Sequence, residues 1–416
     1  MQRTFYGWWV TLAAFCTFGI SVGFPYYNLP FFYDYFEKTF GWSRADITLG
    51  FPLAALLTIW VGPVLVPRFS PRKLILLGTG LTFASFLGFG SMGGRLWVYY
   101  FFWVVYTAGY IFSGPIPHQV IISNWFRKIR GRAMAMAYVG VALFASTGSY
   151  IVKPLAESLG FQGALVVMGA LLFLAWPLAI WLMKDRPSDM GLHPDGAAES
   201  AAETRQQPRE FGYLLRRPAF WLLAVGSFCS IGAIGSVNQH MKLVFFDQGF
   251  TDQSQLNSIW RTASILTLLS SIGGRLIMGW MADRFPKKWV MTITYLLVAM
   301  TIPLLLMVRP EQAYYVYVFA VMFGFAMGAD YMMIPLMAAE QFGVNSLARA
   351  MAIILPTDTI GQTWMPYAVS RLRAFFGDYD HALTVVFVLA FLGTLAIALM
   401  PKSGAKSGDA DRPLAL

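Results

Sequence analysis

Charged residues are scarce in this chain. Only 12% of its 416 residues are Asp, Glu, Lys or Arg, whereas 57% are hydrophobic. Soluble domains usually carry about twice that share of charge, because a water-facing surface needs it. The composition therefore excludes a soluble protein of this length and indicates one that lies largely in a membrane.

Cysteine is also scarce, and the sequence motifs of enzymes are missing. Cys16 and Cys229 both fall inside apolar runs, which favours small buried residues over a disulfide or a metal site. Gly19, Ser21 and Gly23 have the spacing of a hydrolase nucleophile turn, but no strand-turn-helix pattern surrounds them. Gly19–Gly23 is also a pair of glycines four residues apart, and Gly324–Gly328 is a second such pair. This spacing more often reflects close helix packing than chemistry. No phosphate loop, zinc motif or dinucleotide fingerprint stands out, so we expect no enzyme, no metal and no cofactor.

Long apolar runs are what the chain has instead. Each is about 20 residues or more, enough to cross a hydrocarbon core of roughly 30 Å. The sequence therefore predicts an all-α integral membrane protein with twelve transmembrane helices. The predicted helices cover residues 6–33, 45–66, 74–93, 96–122, 132–156, 162–183, 218–246, 256–281, 288–308, 313–338, 351–370 and 380–400.

The net charge of +10 is a topology signal. Basic residues collect in the loops after the second, fourth, sixth and eighth helices, and such loops stay in the cytoplasm. We expect both termini to be cytoplasmic, in a protein of a bacterial inner membrane. Because the basic residues follow the helix ends in this way, nucleic-acid binding is not expected.

One long polar stretch divides the chain. Residues 184–217 are predicted to be a cytoplasmic linker between an N-terminal six-helix bundle (1–183) and a C-terminal one (218–401), with a cytoplasmic tail at 402–416. A repeat supports the division. GPVLVPRFSPRK and FRKIRGRAMA in the first half match GWMADRFPKK and FGVNSLARAMA in the second at about the same offset. Parallel halves of this kind place a substrate site between them, near the middle of the membrane.

These motifs resemble those of the major facilitator superfamily over nearly the whole chain. GWMADRFPKK is similar to its loop signature G-x-x-x-D-R-x-G-R-R, whereas Pro67 replaces the acidic residue in the first copy. FYGWWV, FGWSRADI, WFRKIRGRAMAMAYVG, NQHMKLVFFDQGF and GRLIMGWMADR resemble the oxalate/formate antiporter and monocarboxylate transporter branch. The resemblance implies that Arg275 binds a substrate carboxylate. It also places Asp358 where the oxalate transporter has a lysine, which speaks against a dicarboxylate.

Apart from this resemblance, Arg275 is unusual because it is a charged residue within an apolar run. It lies in an apolar run, eight residues before Asp283, and so about 12 Å from the end of its helix. A charge at such depth costs at least ~2.5 kcal/mol, and it normally has a function or a partner. Its planar fork suits an anion that is held and then released. The alternative is a structural arginine in a permanent ion pair.

Other polar residues are predicted at similar or shallower depths. Asp330 and Asp358 are candidate proton-coupling groups, or they only neutralise Arg275. His118, which lies between helix-disturbing prolines, either contacts substrate or bonds to a freed carbonyl. Further binding candidates are Tyr27, Asn28 and His240. Candidate gating-loop residues are Arg68, Asp283 and Arg284.

We therefore expect a monomeric secondary transporter in a lipid bilayer that moves a small organic anion, a monocarboxylate, with protons as the coupling ion. The alternative is an exporter of larger amphipathic compounds. The 21 methionines and the 16% aromatic residues would suit an adaptable site.

Overall fold

The fold is helical throughout the described residues. A computed structural model describes residues 5–58, 60–146, 148–196 and 211–401, and within these ranges no strand occurs. Residues 197–210 of the predicted linker and the predicted tail at 402–416 lie outside the described residues. The division of the chain into two bundles, a linker and a tail therefore stays a prediction.

Besides the short helix Phe211–Leu215, twelve long helical segments follow one another in the described ranges, and we label them α1 to α12. Several of these segments continue through short π or 3-10 stretches. They are α1 Gly7–Phe40, α2 Asp46–Arg68, α3 Pro71–Ser91, α4 Leu96–Trp125, α5 130–159, α6 161–181, α7 Pro218–Asp247, α8 Gln253–Arg284, α9 Lys287–Leu306, α10 Tyr314–Phe342, α11 Val344–Phe376 and α12 Tyr379–Ala398.

Ten described stretches are long and apolar enough to cross a membrane. One of them, Arg130–Trp181, is 52 residues long and contains both α5 and α6. Gly160 separates these two helices, because it adopts φ 70° and ψ 166°, a conformation that a helix cannot contain. The 33-residue helix α11 is not among the ten; Pro356, Pro366 and its polar residues lower its hydropathy. When α5 and α6 are counted separately and α11 is added, the ten stretches become twelve segments, the predicted number.

The predicted helix ends were wrong for α1 and α11. Helix α1 reaches Phe40 rather than residue 33, and α11 spans Val344–Phe376 rather than 351–370. In both cases the additional turns carry polar residues, so an apolar-run criterion stops short of them. The helices continue past the apolar runs because backbone hydrogen bonding does not depend on apolar side chains.

Glycines allow α1 and α5 to approach each other closely. Gly19–Gly23 forms a π-helical turn within α1. A Cβ atom added at Gly23 would lie 2.4 Å from the Val141 carbonyl oxygen. The small-residue spacing at Gly19–Gly23 therefore reflects helix packing, as predicted.

The even-numbered helices all finish at one end of the bundle, and we call this end the linker end. The linker accepts hydrogen bonds from residues at this end. The Trp125 indole N–H donates to the Lys184 carbonyl at 2.8 Å, and the Arg127 backbone N–H donates to the Asp195 carboxylate at 3.1 Å. At the opposite end, Asp378 caps α12 by accepting the His381 backbone N–H at 2.8 Å. This bond, with the neighbouring His381 ring, lowers the pKa of Asp378 below its ordinary value.

The two halves meet along two sides of the bundle. Helix α5 packs on α8, and α11 packs on α2 and α4, while α5 also touches α10. A Cβ atom added at Gly131 in α5 would lie 2.2 Å from the Gly279 carbonyl oxygen of α8. The α5–α8 contact is therefore close near the linker end, and it brings one wall of each half to the region around Arg275.

Candidate functional site

Arg275 lies on α8 in the interior of the protein. Arg275 is 8% exposed, and its Nη1 donates to the Ser271 hydroxyl at 2.7 Å, one turn earlier on the same helix. Its Nε is buried without a hydrogen-bond partner among the described atoms. Within the described part of the chain, no carboxylate forms an ion pair with it. In this conformation the guanidinium therefore keeps donors available for an anion.

Three tyrosines interact electrostatically with this guanidinium. Tyr27 of α1, Tyr138 of α5 and Tyr331 of α10 are close enough to interact with its charge. The Tyr27 side chain is 53% exposed, and the Tyr331 hydroxyl is buried without a partner in the described residues. Tyr138 accepts a hydrogen bond from the Gln119 amide at 2.7 Å, which leaves its own hydroxyl proton free to donate. These three helices from both halves thus place hydrogen-bond donors around one cation.

Glycine packing fixes the turn that carries Arg275. A Cβ atom added at Gly274 would lie 2.0 Å from the Phe325 carbonyl oxygen of α10. One added at Gly324 or Gly328 would meet α8 backbone oxygens at 2.2 and 2.1 Å. The spacing at Gly324–Gly328 therefore reflects close packing, as predicted. Because α8 and α10 touch through their backbones, Arg275 and Tyr331 keep a fixed separation.

Asp330 and Asp358 form a buried acid pair inside the C-terminal half. They are 0% and 2% exposed, and they interact electrostatically with each other. Two serines of α7 hold one oxygen of each: Ser230 donates to Asp330, and Ser227 donates to Asp358 at 2.6 Å. The second oxygens, Asp330 Oδ1 and Asp358 Oδ2, are buried and lack partners in the described structure.

The acid pair is separate from Arg275. Tyr295 of α9 lies against it and interacts with both carboxyls. Tyr138 of α5 interacts electrostatically with both Arg275 and Asp358. The depths predicted from sequence placed all these groups in one layer, but the structure does not pair the acids with Arg275.

Three other predicted binding residues use their polar atoms in bonds to the protein. The His118 ring nitrogens bond to the Gly114 carbonyl at 2.8 Å and the Thr17 hydroxyl at 2.9 Å. The Asn28 amide donates to the Phe24 carbonyl at 2.8 Å. These contacts fix helix α4 and the outer part of α1.

His240, the third of these residues, lies far along α7 towards the opposite end. Its ring nitrogens contact the Tyr379 hydroxyl at 3.0 Å and the Pro366 carbonyl at 2.9 Å. Of the predicted binding residues, only Tyr27 is brought to Arg275. Tyr138 and Tyr331 were not predicted, because a tyrosine within an apolar run gives no signal of which helix it faces.

The predicted gating residues occupy the linker end. The Asp283 carboxylate accepts the backbone N–H of Gly131 at 2.6 Å and both the backbone N–H and the Nε of Arg132 at 3.1 and 3.0 Å. Arg284 stacks on Trp280, 4.3 Å from the ring centroid, and Arg68 is exposed. Asp283 therefore links α8 of one half to the start of α5 in the other.

The first-half loop makes a different contact. Pro67 stands where the second half has Asp283, and it offers no carboxylate. Instead, Asp185 of the linker accepts the Arg72 backbone N–H at 2.9 Å and the Ser70 hydroxyl proton at the start of α3. The carboxylate in the first half thus ties helix α3 to the linker, and the two loops are not equivalent.

Two cavities among the described residues differ in size and in lining. The larger, about 430 Å³, lies at the opposite end between α8 and the start of α10, and Asp252 and Ser258 are among its lining residues. It is remote from Arg275 and contains no basic residue. The smaller, about 50 Å³, lies between α2, α4 and α11 and is mostly apolar. Its lining includes Thr107, whose hydroxyl is buried without a partner in the described structure.

The sequence model of the Major Facilitator Superfamily matches residues 115–274 and 260–413. The chain belongs to this superfamily. The fold agrees with solved members: with the outward conformation of the transporter FucP, the TM-score is 0.70 over 94% of this chain and 98% of that one, at 12% identity. The protein is therefore a membrane transporter of the superfamily and not an enzyme.

Curated relatives of the superfamily differ in their named roles. The MFS transporter asaE of Aspergillus flavus is 25% identical over 94% of this chain and 85% of its own length. Monocarboxylate transporter 11 of Mus musculus is 23% identical over 68% of this chain and 60% of its own. An MFS-type efflux pump of Mycolicibacterium smegmatis is 24% identical over 62% and 59%. These similarities support a transporter of small molecules without fixing the substrate class.

Proposed function

We propose that this superfamily member is a secondary transporter of a small monocarboxylate. One observation carries the proposal: Arg275 is buried between the two halves, near Tyr27, Tyr138 and Tyr331, and has no ion-pair partner in the described residues. A desolvated cation without a counter-ion is costly, and a carboxylate that binds it removes that cost. The planar guanidinium can bind both carboxylate oxygens, and nearby phenols can donate to them.

Alternating access follows from the position of this site between the halves. The Asp283 contact and the close approach of Gly131 to Gly279 hold α5 against α8 at the linker end. We place that end in the cytoplasm, on the basis of its basic loops. The substrate then enters from the outside, and rupture of the α5–α8 contact opens the way inward.

We further propose that the acid pair couples this movement to protons. Asp330 and Asp358 bond to serines three residues apart on α7, with no ion-pair partner among the described residues. Two ionised carboxylates held in one dry region repel each other. A proton shared by the pair relieves that repulsion. Because Tyr138 interacts with both Asp358 and Arg275, movement of α5 affects the cation and the acid pair together.

The carboxylate site is tested by replacing Arg275. Arg275→Lys keeps the charge and loses the planar fork, so the dissociation constant of a bound monocarboxylate should rise roughly 10- to 150-fold, for a loss of ~1.5–3 kcal/mol. Arg275→Ala should abolish binding. The measurement is titration of acetate, lactate and pyruvate onto monodisperse protein, which gives the affinity per folded molecule.

Arg261→Ala is the matched control, because Arg261 is exposed on the same helix and its loss should change binding little. Wild-type affinity in folded Arg275→Ala would refute the carboxylate site. Binding of bulky amphipathic compounds that survives in the same variant would instead support an exporter, for which the similarity to an efflux pump speaks.

A further inference from the structure

The larger cavity, between the first turns of α8 and the start of α10, is separate from the site at Arg275. Its volume of about 430 Å³ lies within the ~300–1,000 Å³ that is usual for small-ligand sites. Helix α8 contributes a polar wall with Asp252, Ser254 and Ser258, and α10 contributes Tyr317. The cavity is therefore large and polar enough to hold a ligand that the transport site does not use.

This cavity lies on the face of α8 that meets lipid. Residues 18 apart in an α-helix are five full turns apart, so their side chains lie on the same face. Leu276 is 18 residues after Ser258, and Ile277 is 18 residues after Ile259. Although α8 packs on α5 and α10, Leu276 and Ile277 are 42% and 50% exposed. Exposed apolar side chains on a membrane-spanning helix contact acyl chains, so the cavity lies above a lipid-facing surface.

The depth of the cavity corresponds to the lipid headgroups at the end opposite the linker end. Ser258 precedes Asp283, at the linker end of α8, by 25 residues, which is about 37 Å of helix. The hydrocarbon core is only about 30 Å thick. Tyr314 and Tyr317 are exposed at the start of α10, and such amphipathic rings are typical of the headgroup level.

The charge of the cavity selects among headgroups. Asp252 is the one acidic or basic residue in the described lining. One of its oxygens caps α8 by accepting the Gln255 backbone N–H at 2.7 Å, which leaves the other available for a ligand. The hydroxyls of Ser254 and Ser258 can donate to a phosphate. Because no basic residue is present to balance Asp252, a purely anionic headgroup is repelled, whereas one that carries an ammonium is attracted.

We propose that this cavity binds the headgroup of a phospholipid that ends in a primary ammonium, as in phosphatidylethanolamine. The ammonium donates to the Asp252 carboxylate, and the phosphate oxygens accept from the hydroxyls of Ser254 and Ser258. The acyl chains then follow the lipid-facing side of α8 past Leu269, which is exposed. The inference does not depend on the transported substrate, because the site is remote from Arg275.

The test is a series of four dioleoyl lipids added to the purified full-length protein in detergent. Phosphatidylethanolamine, its N-methyl and N,N-dimethyl derivatives and phosphatidylcholine share the same charge and chains, and each added methyl removes one N–H donor. Native mass spectrometry measures how much of each lipid is bound. In the wild type, affinity should fall along the series, by roughly two- to fivefold in total, as for a partly exposed ion pair.

Asp252→Asn should remove this dependence on methylation. Asparagine caps a helix as well as aspartate does, so the variant should fold while losing the charge that binds the ammonium. Ser258→Leu places added volume in the cavity and should remove the preference by a second route. Asp378→Asn is the matched control, because Asp378 caps α12 at the same end by accepting the His381 backbone N–H and does not line the cavity. It should keep the wild-type series.

Each other result overturns the inference. Equal affinity of the wild type for all four lipids would show that lipid covers this surface without selection. A preference that persists in both Asp252→Asn and Ser258→Leu would place the ethanolamine lipid elsewhere on the protein. Loss of the preference in Asp378→Asn as well would reveal a general effect of charge at this end. Displacement of the lipid by an equal concentration of soluble phosphoethanolamine would identify a water-soluble ligand instead.

Discussion

The Asp283 carboxylate of α8 accepts the Gly131 backbone N–H of α5 at 2.6 Å. Gly131 is near the start of α5, where backbone N–H groups lack helical partners and attract a negative charge. The carboxylate is only 4% exposed, whereas its ion-pair partner Arg132 is 48% exposed. The contact therefore depends more on the two backbone N–H groups than on the arginine side chain.

This contact links the halves on one side only. The equivalent loop of the first half has Pro67, which cannot accept a hydrogen bond through its side chain. The neighbouring carboxylate, Asp185, binds α3 to the linker instead. The α5–α8 side therefore has a charge-assisted contact between the halves that the first-half loop does not reproduce through its own position 67. On the other side, the small apolar cavity lies between α2, α4 and α11.

The first prediction concerns Asp283→Asn, which keeps the shape of the side chain and removes its charge. A hydrogen bond to a charged group contributes ~1.5–3 kcal/mol, so the balance between closed and open linker ends should shift by roughly 10-fold or more. Spin labels at the exposed positions Lys128 and Phe285 measure the distance between the halves. The variant should populate longer distances.

Asp185→Asn is the control for this experiment. It removes a linker carboxylate that contacts α3 and not the second half, so the distance distribution should stay as in the wild type. Equal distributions in wild type and Asp283→Asn would show that the contact does not control the linker end.

The second prediction concerns the acid pair. Asp330→Asn and Asp358→Asn should each lose uphill uptake driven by a pH gradient, because an amide cannot take up and release the coupling proton. Exchange of substrate across the membrane should persist, because exchange does not require the proton to be reloaded. Uptake and exchange of a labelled monocarboxylate in proteoliposomes measure the two activities separately.

Glu311→Gln is a suitable control, because Glu311 is exposed in the loop before α10 and should not affect coupling. Gradient-driven uptake at the wild-type level in both aspartate variants would remove the pair from the coupling role. The pair would then be structural, held by Ser227 and Ser230.

Sequence reasoning predicted the fold far better than the contacts of the site. Apolar length and basic loops determine how many helices there are and which ends lie together, because both are properties of single segments. The partners of Asp358 depend on how α7 is rotated. Ser227 and Ser230 differ in no sequence property from Ser236, which bonds only to its own helix. The tyrosines around Arg275 were missed for the same reason.

The third prediction tests the orientation of the linker end. Ser188 is exposed in the described part of the linker, and Thr251 is exposed in the loop between α7 and α8 at the opposite end. With the linker end in the cytoplasm, a membrane-impermeant thiol reagent added to intact cells should label Thr251→Cys and leave Ser188→Cys unlabelled until the membrane is opened. Labelling of Ser188→Cys in intact cells would reverse the proposed orientation.

The fourth prediction compares two neighbouring glycines. A Cβ atom at Gly274 would lie 2.0 Å from the Phe325 carbonyl oxygen, and backbone cannot move aside as a flexible side chain does. Gly274→Ala should therefore separate α8 from α10, lower stability by ~1–3 kcal/mol or more, and displace Arg275 from the tyrosines around it. Gly273→Ala adds the same methyl where nothing lies within 4 Å.

Since alanine favours a helix over glycine by about 0.5–1 kcal/mol, Gly273→Ala should be neutral or slightly stabilising. Thermal unfolding of the two purified variants measures the difference in stability, and acetate titration on the folded fraction shows whether Arg275 has moved. A clear loss in Gly274→Ala beside a neutral Gly273→Ala would establish that backbone contact between α8 and α10 positions the arginine. Equal stability and equal affinity in both variants would mean that the two helices tolerate separation and that the site does not depend on their close approach.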